Sequence, residues 1–472
     1  MSPTNTISTS TTDSHTNENA AQQKAARINI SSQSTPRQQS PKAGLRPKRP
    51  ENAHNAGSFL GDLMDKPRDD EKHSKVPYFL RLSGSITPRM LVPLLFVAAW
   101  ATAITCISEF VYPLVVNSLL LTVLGFVVGL GISFRTSSAY ERYIEGRKYW
   151  AQLSQISRDL ARHIWIHADE RHSQSPELGK ADLLAKLTAL NLIVAFAVSL
   201  KHKLRFEPYA YYDDLESLVS HLSTFAGEAS DPEVRVPRSM SSWKVAGQFL
   251  GLTLAESNPR KQIKRSKKNL GNLPLEILTY LSAYTQSIMK NGTFDNGPLA
   301  GTVLALLNNL SDVLAGTERV LSTPLPEAYS IAISQITWVY VIALPFQLWD
   351  SLRWVTIPGT VVGAYIVLGI AAIGREIENP FGLDANDLPL DKFCNQLASE
   401  INVIASRPPP RPEDFINTKG NKVLYSLNYE AWHARSEEDI RGTLKSRGMR
   451  KVELNNPNAS LVEKAAQGAA AV

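Results

Sequence analysis

Four uncharged, strongly apolar stretches interrupt an otherwise polar chain, at residues 90–108, 110–134, 331–349 and 354–374. Only Glu109 separates the first pair, and only residues 350–353 separate the second. A bilayer core about 30 Å thick is crossed by roughly 20 apolar residues in a helix, so each stretch is long enough to span it. The pattern predicts two helical hairpins in a membrane. The alternative, buried core helices of a large soluble protein, fits poorly with the uninterrupted apolar run at 110–134. Pro93, Pro113, Pro345 and Pro358 fall in or near these stretches, where neighbouring helices or a water-filled cavity can satisfy the freed backbone groups.

Between the hairpins, residues 135–330 alternate helical patterns with polar joins. Leu183, Leu187, Leu190, Val194 and Ala197 recur at helical spacing and predict one apolar stripe. Residues 275–289 and 301–321 read the same way, and no strand series is visible. The fold class is therefore an all-α membrane protein, with four transmembrane helices and a large helical cytosolic region. Residues 1–74 are rich in Ser, Thr, Asn and Gln and poor in apolar groups; they cannot bury a core and are expected to be disordered. The tail, 401–472, opens on Pro408, Pro409 and Pro410 and is expected to be partly helical.

Charge sets the orientation. No Lys or Arg lies between the first two stretches and only Arg353 between the last two, whereas Arg81 and Arg89 precede the first and Arg135, Arg142, Arg147 and Lys148 follow the second. By the positive-inside rule both termini and the 135–330 segment are cytosolic. The plasma membrane is the favoured location, with an organelle the alternative. Over 472 residues the mean hydropathy is only −0.14, an average that conceals the four spans. Two cysteines, Cys106 and Cys394, exclude a disulfide scaffold or a CxxC zinc module. No nucleophile elbow, HExxH, P-loop or dinucleotide fingerprint is present, so no enzyme is expected. His163 and His167 stand four apart on a helix, as a metal pair or an ordinary surface pair. A basic run at 260–268 suits anionic lipid, an acidic partner or a solvated insertion, and nucleic acid is not expected. Gly125 and Gly129 have GxxxG spacing in the second span, for close helix approach or as ordinary membrane-helix glycines.

Two further motifs are more specific. After the second span the chain reads GISFRTSSAYERYIEGRKYW, which includes Phe134, Arg135, Glu145, Gly146 and Arg147; after the fourth it reads EIENPFGLDANDLPLD, with Pro380, Phe381 and Gly382. These resemble the FRT…YERWxEGRxxW and PFGxDxxDLPL signatures of the bestrophin and bestrophin-like channel family. The 195–205 segment, AFAVSLKHKLR, is similar to a helix of its plant and bacterial branch. The resemblance covers about residues 75–400. It implies a homopentamer with an axial pore that passes chloride or other small anions, surrounded by membrane lipid. It places Ser118, Thr122 and Phe126, at i, i+4 and i+8, along an apolar neck. Animal members have large apolar groups at all three, so hydroxyls at Ser118 and Thr122 imply a weaker, wider or shifted constriction; bonding to backbone carbonyls is the alternative role.

Lys201, His202, Lys203 and Arg205, copied five-fold, would make a positive vestibule ring favouring anions. The alternative is a solvated basic helix end. By the resemblance Asn379, Asp384 and Asp387 are candidate Ca²⁺ ligands, the one cofactor considered; interruption by Leu383, Ala385 and Asn386 favours instead a turn that caps a helix starting near Leu390. The Arg135–Arg147 run is read as a membrane-boundary anchor with pairs along its own helix, such as Arg142 with Glu145. Three functional classes remain: an anion channel, a cation-selective channel of the same fold, and a scaffold or carrier. The four spans contain no charge, which disfavours a carrier.

Overall fold

The computed structural model describes residues 84–116, 118–229, 269–424 and 427–449. The polar 1–74 region, the basic run at 260–268 and the last residues of the tail lie outside the described residues. The helix α1, Thr87–Phe110, has Pro88 in its first turn, where a missing N–H costs nothing. Its N-terminus is braced by the Ser85 hydroxyl, which accepts from the Thr87 N–H at 3.1 Å. Glu109 lies in its last turn and does not end it.

The second span begins later than the apolar pattern predicts. Residues 112–116 are non-helical around Pro113, because proline has no N–H and disfavours helix at the residue before it. Val116 instead donates its N–H to the Phe346 carbonyl at 3.3 Å. The helix α2 then runs unbroken over 50 residues, Ser118–His167, about 75 Å at 1.5 Å per residue. It crosses the membrane and continues as far again beyond it.

Ser175 caps α3, Pro176–Leu204, by accepting from the Glu177 N–H. Two single turns, Glu216–Val219 and Phe225–Glu228, follow. The pair α4, Leu273–Lys290, and α5, Gly297–Ser322, meets at a Gly- and Asn-rich turn, with Asn296 capping α5. The second hairpin is α6, Glu327–Leu352, and α7, Thr356–Glu376. Its corner is Arg353, held at φ +49°. Leu390 opens α8, Leu390–Ala405, where the sequence expects it. The tail adds α9, Pro412–Ile416, α10, Tyr429–His433, and α11, Glu437–Met449. Among the described residues there is no strand, only an isolated bridge between Leu424 and Leu427.

Two packing regions result. In the membrane half α7 lies against α1, α2 and α6, sealed by small clusters such as Met90, Val97, Val341 and Ala364 and Val128, Ile132, Ile333 and Ala371. In the body, the second half of α2 packs with α3, α4, α5 and α8 around one large core that includes Trp150, Leu160, Ile193, Phe196 and Leu200. By length and composition α3 and α5 are also apolar enough to cross a membrane. However, α3 is enclosed by its neighbours from Ala189 onward.

Candidate functional site

The two sequence signatures, more than 200 residues apart, are one structure. Gly146 exists to admit the second signature: a methyl group there would come within 3.0 Å of the Phe381 ring and 3.1 Å of Pro380. Phe381 is fully buried, and the guanidinium of the next residue after Gly146, Arg147, lies 4.5 Å from the centre of the Phe393 ring. Arg135 is buried and reaches Glu378 at 3.4 Å, while Phe134 next to it is exposed.

The expected pairing of Arg142 with Glu145 along α2 is not formed. Arg142 donates to the carbonyls of Val320 at 2.7 Å, Thr323 and Glu378 at 3.1 Å, closing the ends of α5 and α7. Glu145 instead meets Arg319, which also donates to the Tyr149 hydroxyl at 3.0 Å. The run anchors α2 to other helices, because its side chains reach across to unsatisfied helix-end carbonyls.

Along the membrane part of α2, Thr122, Phe126, Gly129, Ser133 and Ser137 are all exposed at spacings of three or four, so they share one face. Phe126 is 73% exposed and is the only large side chain in that row. Ser118 is the first residue of α2, and its side chain lies outside the described residues. The GxxxG pair divides: a methyl at Gly125 would press on Tyr340 of α6 at 3.1 Å, whereas one at Gly129 would meet nothing within 4 Å.

The basic run at the end of α3 is not a free ring of charge. Lys201 is buried and bridges Asp214 and Asp391, the latter at 2.7 Å. Arg205 reaches the other oxygen of Asp391 at 2.9 Å, and Lys203 pairs with Glu318. The His202 ring stands between Glu207 at 2.6 Å and Asp214 at 2.8 Å, stacked on Tyr212 at 4.1 Å. Burial would lower the His202 pKa, but the hydrogen bonds to Asp214 and Glu207 outweigh it and hold it above its ordinary value. Burial opposes ionisation of Asp214 and Asp391 too, yet hydrogen bonds from the basic partners hold both carboxyls below theirs. Lys201, His202, Lys203 and Arg205, expected as a positive ring, are each paired with carboxylates of neighbouring segments, Asp214, Asp391, Glu207 and Glu318.

The candidate Ca²⁺ ligands form a tight turn. Asp387 accepts the Asp384 N–H at 2.7 Å, and the Leu388 N–H is received by the Pro380 carbonyl at 2.9 Å. A methyl at Gly382 would stand 2.5 Å from the Asp387 carboxylate. Burial pushes the Asp387 carboxyl up to about 7, and its Oδ1 has no hydrogen-bond partner. Asp384 is already taken by Arg89 at 2.7 Å, and Arg89 also reaches Glu376 at 3.4 Å. Ca²⁺ requires six to eight oxygens, and among the described residues no group of three or more His, Cys, Asp or Glu is placed to hold a metal. Asn379, Asp384 and Asp387 do not fit a Ca²⁺ site. His163 and His167 stack at 5.5 Å with no third ligand of that kind among the described residues.

Reading the sequence missed the partners: Arg89, Glu376, Glu378, Glu207, Asp214, Glu318 and Asp391. Glu376, Glu378 and Asp391 stand inside the second signature without an assigned role, and Glu207, Asp214 and Glu318 carry no motif; each is defined by what the fold brings to it. Arg89 entered only as a charge flanking the first span.

A family described as Bacterial/Fungal Bestrophin protein matches residues 66–403. The chain is 34% identical to the voltage-dependent anion channel-forming protein alr2987 of Nostoc over 70% of its own length and 91% of that protein's. To the corresponding Synechocystis protein, sll1024, it is 32% identical over 70% and 91%. Two solved structures of a bacterial Bestrophin homolog from Klebsiella pneumoniae share its fold, at 23% identity and a TM-score of 0.50; both cover 68% of this chain, with 99% and 100% of theirs.

Proposed function

The chain belongs to the bacterial and fungal bestrophin proteins, and we propose that it forms an anion channel in which α2 of several identical copies, five by the family resemblance, surrounds one axial pore. The observation that supports this reading is the exposed row Thr122, Phe126, Gly129, Ser133 and Ser137. A lipid-facing surface has no use for a file of hydroxyls and glycine, whereas a water-filled lumen does. Phe126 is then the narrowest ring, a single hydrophobic constriction between small polar neighbours. Relatives named as anion channel-forming proteins support the sign of the ion.

Both termini lie on the cytosolic side in this reading, with the body hanging below a plasma membrane. Because the α3 basic run is paired with carboxylates, selectivity in this reading comes from the neck and from backbone and hydroxyl dipoles, not from a lysine ring. The reversal potential of the purified protein in a planar bilayer under a KCl gradient tests the proposal. A value near the chloride equilibrium potential supports it. A value near the potassium potential replaces it with a cation channel of the same fold, and absence of current returns it to a scaffold or carrier. Phe126→Ala should raise the unitary conductance, and an unchanged conductance would remove Phe126 from the pore.

A further inference from the structure

The place where the family resemblance puts Ca²⁺ already contains a positive charge. Arg89, in the first turn of α1, sends one nitrogen of its guanidinium to Asp384 at 2.7 Å and the other to Glu376 at 3.4 Å. Beside it, Asn386 donates to the second oxygen of Glu376 at 2.8 Å and to the Gly84 carbonyl at 3.0 Å. Three segments distant in sequence are thereby tied at one point: the entry to α1, the last turn of α7 and the turn after it. Gly84, Glu376 and Asn386 also line an open cavity of about 590 Å³, and the Arg89 and Asp384 side chains are 42% and 43% exposed.

The chemistry of the cluster runs against a metal. Both oxygens of Glu376 and one oxygen each of Asp384 and Asp387 are met by N–H groups, from Arg89, Asn386 and the Asp384 backbone. An arriving Ca²⁺ would have to displace Arg89 and Asn386 before it could join Glu376 to Asp384. A guanidinium is planar, permanently charged and forked, so one side chain can hold two carboxylates that a divalent ion would otherwise join.

We propose that Arg89 is the resident cation of this clamp: it joins α1 to the end of α7 and to the turn at 380–388 by bridging Glu376 and Asp384, and so does for this chain, without Ca²⁺, what a bound metal would do. The clamp then holds at any calcium concentration and through the physiological pH range, because an arginine does not deprotonate there.

The test uses the full-length protein in nanodiscs, followed by thermal melting and bilayer currents, each in EGTA and in millimolar Ca²⁺. Wild type should give the same Tm and the same open probability in both; a rise in Tm or current with Ca²⁺ would overturn the proposal. Arg89→Gln should lower Tm by several degrees and change the open probability, with Arg89→Lys recovering only part of each, since an ammonium keeps the charge and loses the fork. An R89Q protein indistinguishable from wild type, or full recovery by R89K, would overturn it. Asp384→Asn, at a partly exposed turn position, covers the case in which R89Q does not fold. It should lower Tm in the wild-type background, and no loss there would count against the clamp.

Discussion

The two halves of this molecule are built from helices of comparable apolarity turned in opposite directions. The most apolar stretch of α3, in the body, is 67% buried within the chain, whereas that of α2, in the membrane half, is 22% buried. Length and composition alone do not separate a span from a core helix. What separates them is where the charges fall. In α3 the apolar stretch is bracketed by Lys186, buried on Glu170 at 2.9 Å, and by Lys201 and His202 on their carboxylates. In α1 and the first part of α2 the apolar stretch has such an anchor at one end only, Arg89 on Glu376 and Asp384 and Arg135 on Glu378. The body uses its apolar residues on itself; the membrane half presents them outward, to lipid or to other copies.

The largest expected effect breaks that contrast at one residue type. Phe196 is wholly buried in the body core and Phe126 is 73% exposed on α2. Phe196→Ala removes a packed ring and leaves a cavity, which should cost about 3–5 kcal/mol. It should appear as a large fall in Tm or loss of folded protein. Phe126→Ala removes no intrachain packing and should leave the Tm of the body near wild type. Equal losses at both positions would mean that the membrane half depends on Phe126 for its own assembly.

Glycines give the next comparison. At Gly316 a methyl would lie 2.2 Å from the Tyr149 ring, so Gly316→Ala forces α5 away from α2 or turns the ring, at about 1–3 kcal/mol. Gly129→Ala meets nothing within the chain and should not change the stability of the isolated subunit. If copies pack or a pore forms at that face, the same variant alters oligomer mass in detergent, by light scattering, or unitary conductance. No change in either would leave Gly129 facing lipid.

Much of this architecture was legible in the sequence. The hydropathy pattern located the apolar helices α1, α6 and α7 and the apolar part of α2, and the positions of Pro380, Phe381, Gly382 and Gly146 gave the family, because close backbone approach leaves a signature in residue type. The end of α1 was misread because Glu109 looks like a span boundary, while the real break is set by Pro113. The partners of the α3 basic run were missed for a different reason. Lys201, His202, Lys203 and Arg205 are adjacent in sequence and visible as a cluster, whereas Asp214, Glu207, Asp391 and Glu318 are scattered, and only folding collects them. A run of like charges shows where a network is, not what sign it finally carries.

That network gives a pH-dependent prediction of moderate size. His202 has a raised pKa when folded, so its contribution is fully present below about 6.5, the ordinary histidine value, and is lost as pH rises through the higher folded value. Asp214 and Asp391 have depressed pKa values, so theirs is present above about 3.9 and is lost as pH falls through the folded values. The contribution of this network to the Tm should therefore be greatest between about pH 4 and 6.5 and fall on both sides. His202→Gln should flatten the alkaline decline while leaving the acid one. A decline unchanged in H202Q would move the alkaline titration to another group.

The smallest expected effect lies on the surface of the same body. Arg158 on α2 grips Glu400 on α8 with two hydrogen bonds, at 2.6 and 3.0 Å, a geometry as good as any in the buried network. Its two side chains are nonetheless 45% and 33% exposed, so water competes for both charges and salt screens them. Glu400→Gln should therefore cost only about 0.2–1 kcal/mol, and the difference in Tm from wild type should shrink as NaCl is raised from about 0.05 M to about 1 M. Replacing Asp391, which serves both Lys201 and Arg205, leaves Arg205 without its carboxylate and Lys201 with Asp214 alone, and should cost more at every salt concentration. Should E400Q prove as damaging and as salt-insensitive as an Asp391 variant, burial would not be what sets the strength of these pairs, and the contrast between the inward-facing body and its surface would fail at the level of single ion pairs.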